Sequence, residues 1–204
     1  MFYRSTDPRP LRRDPLSAIV SPRPIAWIST RAGDDRVNLA PYSFFNAVAY
    51  APPQVIVASI GGKPDRARGK DSLSNATETG VFCINIAGFG DRQAVNESSA
   101  PFPREVDEAA HLGLELAECE TIDCPRLAHA PAALECRLTQ VVALEGEANL
   151  LMIARIEAFH LRDDCLTEDG HFDVTRYRPL TRLGYMDFAT IDAVFAMPRP
   201  KGQG

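Results

Sequence analysis

Short apolar runs broken by proline and glycine dominate the chain, and most repeat with the two-residue period of strands. Residues 25–30, Ile-Ala-Trp-Ile-Ser-Thr, are aromatic and β-branched, and Pro24 stands at their head, where a missing N–H costs no ladder bond. They predict a strand. Residues 31–36 carry Gly33, Asp34 and Asp35 and predict a hairpin connection to a second strand beginning near Asn38. Pro41 dents that second strand, so residues 39–43 belong at a sheet edge or bulge, with backbone N–H groups left for a ligand. Residues 54–60 are nearly all apolar, as in a strand covered on both faces or lying on a subunit interface; Ser59 is the polar exception.

Further strands are expected over 81–86, 134–139 and 152–158. The last two alternate apolar and polar residues and predict an antiparallel pair, wet on one face, that closes the sheet. Residues 71–80 predict a short helix with Asp71 or Ser72 as N-cap and Gly80 just past its end. Two more short helices are expected over 91–100 and 105–111, separated by Pro101 and Pro103, while 114–131 is poorly patterned and is expected to wrap the sheet or line a pocket entry. With no repeat and no linker, the pattern predicts an arm over 1–20, one folded unit over 21–190 and a tail over 191–204.

Composition agrees with a single packed domain: 204 residues, 45% hydrophobic. A net charge of -5 argues against general nucleic-acid binding. No apolar run approaches the ~20 residues of a membrane helix, and Met1-Phe2-Tyr3-Arg4 opens no signal-peptide pattern, so a cytoplasmic location is expected. The five cysteines, Cys83, Cys119, Cys124, Cys136 and Cys165, show no zinc-type pair and are expected to be reduced core residues, although Cys119 and Cys124 could meet across a turn.

Candidate chemistry concentrates before the helix at Asp71. Lys63, Arg66, Arg68 and Lys70 precede a helix N-terminus, where backbone donors and the helix dipole favour an anion such as phosphate. A merely solvated basic loop is the competing reading. A P-loop is excluded, because Pro64 stands where the first glycine is needed and Asp71 follows Lys70. His111, His129, His160 and His171 have no partner at metal or nucleophile spacing, and no G-x-S-x-G elbow is present.

Four ordered blocks carry a resemblance. Residues 22–30 (Pro-Arg-Pro-Ile-Ala-Trp-Ile-Ser-Thr), 38–45 (Asn-Leu-Ala-Pro-Tyr-Ser-Phe-Phe), Pro52-Pro53 and Lys70-Asp71-Ser72 with Asn75 together resemble the flavin reductase-like family of FMN-binding split β-barrel proteins. Phe82 with Asn85 and the run 179–184 ending in Gly184 before Tyr185 also fit. The resemblance implies a mainly β, closed Greek-key split barrel with a few short flanking helices. It implies that Lys70-Asp71-Ser72, with Arg66, meets an FMN phosphate, and that Ser29, Thr30, Ser43, Phe44, Asn46 and Ser59 serve the ribityl chain and flavin ring. No catalytic side chain is assigned and no metal is expected, since the flavin carries the redox chemistry.

The implied function is an FMN-dependent oxidoreductase passing hydride from NADH or NADPH to flavin, paired as a homodimer, with an acceptor protein or monooxygenase component as partner. One departure favours a rival: many family reductases carry histidine where this chain has Asn149. The rival is an FMN-binding electron carrier, flavoredoxin-like, without nicotinamide turnover. A small β-barrel binding domain without cofactor is a third reading.

Overall fold

The computed structural model of the chain describes residues 1–33, 35–61, 70–103 and 105–200. In chain order the elements are α1 (Leu16–Ile19), β1 (Arg23–Pro24), β2 (Ala26–Arg31), β3 (Val37–Tyr42), β4 (Phe45–Tyr50), β5 (Pro53–Ser59), α2 (Asp71–Thr79), β6 (Val81–Ile86), α3 (Arg92–Glu97), α4 (Glu108–His111), β7 (Leu116–Glu118), β8 (Pro125–Leu127), β9 (Ala132–Ala143), β10 (Leu150–Leu161), α5 (Val174–Tyr177), β11 (Thr181–Arg182) and β12 (Phe188–Ala189).

Seven strands form one antiparallel sheet in the order β3-β2-β6-β9-β10-β5-β4. Its two edge strands, β3 and β4, are consecutive in the chain, joined by Ser43 and Phe44 alone, so the sheet must curl until its edges meet. Bulges help it do so. The β9–β10 register shifts at Ile153/Ala154 and at Ile156/Ala158, and the β4–β5 register shifts at Ala47/Ala49. The β9–β10 pair therefore sits in the middle of the sheet, and closure belongs to the β3–β4 corner, contrary to the expectation from alternation.

Inward-facing Ala26, Ile28, Tyr42, Val55, Val57, Phe82, Ile84 and Met152 form the main core, and α2 inserts Leu73 and Ala76 into it. Burying each large side chain contributes ~1.5–3 kcal/mol. The outer face of β2 and β3 is covered as well: Trp27 and Leu39 pack with Val95 of α3, Ala109 of α4 and Leu127 of β8. The segment 114–131 is thus a small β7–β8 hairpin laid over the sheet, with Leu116 opposite Leu127. Asn85 fastens it, donating to the Trp27 carbonyl (2.9 Å) and Ser29 Oγ (3.0 Å) and accepting from the Leu127 N–H (2.8 Å).

Strand β5 alternates instead of being covered twice: Val55, Val57 and Ser59 are buried, while Ile56 and Ala58 are half-exposed on the outer face. Strand β4 and the three-stranded sheet β1-β11-β12 had no signal in the hydrophobic pattern. The first is largely exposed and its alternation is interrupted by the bulge; in the second each strand has two residues, and pairing across 159 positions joins Arg23 to Arg182. Near them α1 approaches Gly184 so closely that a Cβ there would lie 2.5 Å from Ala18 Cβ.

All five cysteines are free thiols. Contact with Cys119 and burial push the Cys83 thiol up, and burial does the same for Cys124 and Cys136, which suits core residues. Cys119 and Cys124 do face each other at the mouth of the β7–β8 hairpin, where the Cys119 N–H donates to the Cys124 carbonyl at 3.0 Å.

Glu135 on β9 is a carboxylate with no exposed side-chain surface. It accepts from the Glu120 N–H (2.7 Å), the Thr121 N–H (2.7 Å), the Thr121 hydroxyl and His160 Nε2 (2.5 Å). Burial by itself would push this carboxyl up, but those donors, led by Thr121, outweigh it and hold it down at about 2. A folded value below the unfolded one stabilises the fold above pH ~4.3, and that contribution, on the order of 3 kcal/mol, fades as pH falls toward 2. Denaturant midpoints of Glu135→Gln and the parent chain should therefore differ strongly at pH 7 and converge near pH 2. A constant difference across that range would contradict the assignment.

Candidate functional site: a groove along the β3–β4 corner

The site begins at the start of α2. Its N-cap is Lys70, one residue earlier than the sequence pattern placed it, with extended backbone and no side-chain cap; Gly80 ends the helix with φ +77° as expected. A lysine side chain cannot accept from the first-turn N–H groups, so no side-chain cap competes with an anion at the positive end of the dipole. Two buried pairs hold this helix end against the sheet. Asn38 Nδ2 of β3 donates to Ser72 Oγ at 2.8 Å, and Asn75 Nδ2 donates to Thr30 Oγ1 of β2 at 3.0 Å.

Tyr42, at the end of β3, meets the same helix start. The Lys70 ammonium stands 5.5 Å from the centre of its ring. The Tyr42 hydroxyl is buried and makes no hydrogen bond of acceptable geometry, although Ser72 lies beside it. Burial pushes this phenol up to about 12, Ser72 offsetting part of the effect, so it is a neutral donor at any physiological pH. Ser59 Oγ is a second buried hydroxyl without a partner among the described residues. It follows Ala58, whose N–H donates to the Phe44 carbonyl at 2.8 Å, which sets Ser59 near the corner that joins β3 to β4.

Three adjoining hollows make a continuous groove here. The first, about 280 Å³, is lined by Asn38, Pro41, Tyr42, Lys70, Asp71, Ser72 and Ser99. The second, about 260 Å³, shares Pro41, Tyr42 and Ser99 and adds Ile25, Ser43, Asn96, Arg182 and Phe188. The third, about 460 Å³, shares Asn96 and Phe188 and is lined by Phe89, Arg92, Leu180 and Met186. The groove runs from a polar end at α2, where Lys70 lies with the carboxylates of Asp71 and Glu108, to an apolar end at β12.

Of the residues singled out from sequence, Lys70, Asp71 and Ser72 line the polar end and Ser43 the middle. Thr30 is buried behind them, bonded to Asn75, and Phe44 lies under the Arg23 guanidinium at 5.5 Å. Ser29 points to the opposite face of β2, its hydroxyl donating to the Pro125 carbonyl at 2.6 Å, because successive strand residues alternate. Asn46 is exposed on β4, opposite Ile56 on the outer face of the sheet. Arg66, with Lys63 and Arg68, lies outside the described residues. The N–H of Leu39, expected to be open to a ligand, is bound by Glu108 Oε2 of α4 at 3.0 Å. Tyr42, Asn96 and Phe188 also line the groove without having been singled out: Tyr42 lies in the 38–45 run and Phe188 in the closing segment that resembles the family, while nothing in the sequence marks Asn96.

Fold and groove together define a split β-barrel of the flavin-binding class. The chain belongs to the family described as flavin reductase like domain, whose model matches residues 19–181. It is 34% identical over 189 residues to the uncharacterized protein BH2278 of Halalkalibacterium halodurans, covering 91% of this chain and 89% of that one. Among solved structures, nitrilotriacetate monooxygenase component B from Bacillus cereus superposes with a TM-score of 0.84 at 27% identity, covering 96% of this chain and 100% of that one. The 2-nitrobenzoate 2-nitroreductase NbaA of Pseudomonas fluorescens gives 0.79 at 26% identity, covering 93% and 92%. This is a flavin-related oxidoreductase family.

An unpartnered buried hydroxyl is a net cost to the ligand-free fold. Tyr42→Phe should accordingly leave the unfolding free energy of the flavin-free protein unchanged or raise it by up to ~1 kcal/mol. A loss of ~1–2 kcal/mol in chemical denaturation would instead reveal an internal partner for that hydroxyl.

Proposed function

We propose that this protein is an FMN-dependent reductase that takes hydride from NADH or NADPH. The observation that carries the reading is the uncapped start of α2, with Lys70 as its N-cap, opening into the same hollow as the unpartnered Tyr42 hydroxyl. A phosphate monoester fits that donor set: first-turn N–H groups, the Ser72 hydroxyl and the Lys70 ammonium, joined by Arg66 of the preceding segment. Asp71, in the first helical turn, lines the same hollow.

The β3–β4 corner then holds the rest of the cofactor, with Ser43 and Phe44 along the ring, Thr30 and Ser59 beneath, and Asn46 at its outer edge. The bound flavin supplies two-electron redox chemistry, so the protein needs no acid or base of its own. Its contributions are positional and electrostatic. Buried Tyr42 and Ser59 hydroxyls are preorganised donors, and the Arg182 guanidinium lining the middle hollow favours negative charge there.

Homodimer formation belongs to the same reading. Outer-facing Ile56, Ala58, Leu151 and Ile153, in register across β5 and β10, form an apolar strip bordered by Val48, which is 51% exposed, and by Asn46. A second copy laid on this strip would bury it and bring Asn46 to the subunit boundary. By its likeness to a monooxygenase component, the chain would hand reduced flavin to an oxygenase partner.

Asn149 favours a second reading, an electron carrier. Its amide donates to the Glu145 carbonyl at 2.9 Å within the β9–β10 turn and offers no imidazole to a nicotinamide. Anaerobic mixing of FMN-loaded protein with NADH or NADPH separates the two. The reductase bleaches its flavin absorbance within seconds; a carrier stays oxidised. Independently, Lys70→Ala should weaken FMN about tenfold while leaving riboflavin nearly unchanged, because only FMN presents a phosphate. Equal losses for both ligands in equilibrium titrations would remove Lys70 from the phosphate site.

A further inference from the structure

The hollow at the apolar end of the groove, lined by Phe89, Arg92, Leu180 and Met186, is not used by the flavin reading. Its volume of about 460 Å³ falls within the ~300–1,000 Å³ of small-molecule sites. Leu180 forms a buried wall and the rings of Phe89 and Phe188 supply flat apolar surface. Both rings carry guanidinium groups: Arg92 and Arg178 stand 4.4 and 4.5 Å from the centre of Phe89, and Arg182 stands 4.3 Å from the centre of Phe188.

These cations differ in how they are neutralised. Arg178 is ion-paired with Asp192 at 2.6 Å. Arg92 and Arg182 form no ion pair among the described residues: Arg92 donates to the Phe89 carbonyl at 3.0 Å and Arg182 to the Tyr185 carbonyl at 2.5 Å. Arg182 also lies directly opposite Arg23 in the β1–β11 pairing, and that neighbour lowers the Arg23 pKa further, after burial. Arg92, without a carboxylate partner among the described residues, thus lines a hollow walled by aromatic and aliphatic side chains, and Arg182 stands on Phe188 at its border with the middle hollow. An anion with a flat apolar body complements both properties, since guanidinium takes carboxylate in a bidentate fork and the rings take a stacked partner.

We propose that this end of the groove binds a planar aromatic carboxylate, its ring against Phe188 and Leu180 and its carboxylate on Arg92. Bound there, it occupies the hollow next to the proposed flavin position, as the second molecule of that site. The proposal extends the flavin reading by naming that molecule's class, but its binding needs only Arg92 and the apolar walls.

The test is calorimetric titration of the flavin-free full chain with benzoate, benzyl alcohol and acetate. Benzoate should bind, and the two partial analogues should each bind at least tenfold more weakly. Arg92→Gln should weaken benzoate about tenfold or more, the loss expected of a charged hydrogen-bond pair, while Arg178→Gln should leave it within twofold. Phe188→Ala should weaken benzoate and benzyl alcohol alike. No benzoate binding, equal binding of benzoate and benzyl alcohol, or an unchanged affinity in Arg92→Gln would each overturn the proposal. FMN titrations of the same samples, followed by flavin fluorescence, keep the two readings apart: intact FMN binding with failed benzoate binding sinks this inference alone.

Discussion

Two buried amide side chains, Asn75 bonded to Thr30 and Asn38 bonded to Ser72, fix the start of α2 inside the curled sheet. Everything at the groove depends on that fixation. An amide buried without a partner costs several times what the bonded pair contributes, so the helix can sit in few other positions without leaving donors unmet. With the helix held there, its start, which has no side-chain cap, lines one hollow with Tyr42 and with Pro41 of β3.

The same economy of polar groups explains the outer layers. Asn85 satisfies three partners on β2 and β8, Glu108 caps the edge N–H of Leu39, and Trp27 Nε1 donates to Ser98 Oγ at 2.9 Å. Each joins an element far away in sequence to the β2–β3–β6 half of the sheet. The other half, β4–β5–β10, has no such cover among the described residues and keeps half-exposed apolar residues on its outer face. The barrel is therefore asymmetric: one half of the sheet is covered by outer elements, and the other keeps apolar side chains half-exposed.

The groove takes its character from this division. Its polar end is built by one local segment, residues 70–72, and its apolar end by residues drawn from 89–96 and 180–190. The three-stranded sheet of β1, β11 and β12 ties residues 181–189 to the corner through pairing of Arg23 with Arg182 and Pro24 with Thr181, and the Gly88–Pro179 bridge joins the 89–96 segment to them. Arginines gather there because Arg23 is engaged by the carbonyls of Ser17, Val20 and Leu183, leaving Arg182 its charge without a neighbouring carboxylate among the described residues.

Local chemistry was enough to mark the elements whose residues alternate or cap: β2, β3, β5, β6, the cores of β9 and β10, and α2 with Gly80 at its end. It also marked Lys70, Asp71 and Ser72, because a basic segment before a helix is a local pattern. What it could not contain is the direction in which side chains meet across the sheet. Ser29 and Thr30 are neighbours in sequence but part to opposite faces, and Tyr42 and Ser72 are 30 positions apart yet adjoin. Strand β4, obscured by its bulge, and the two-residue strands β11 and β12 had too little pattern to show, and Asn96 and Phe188 acquired their place only when those strands paired. Periodicity and capping act over a few residues and are written in the chain, whereas a groove is a relation between distant segments, and only the closure of the sheet fixed it.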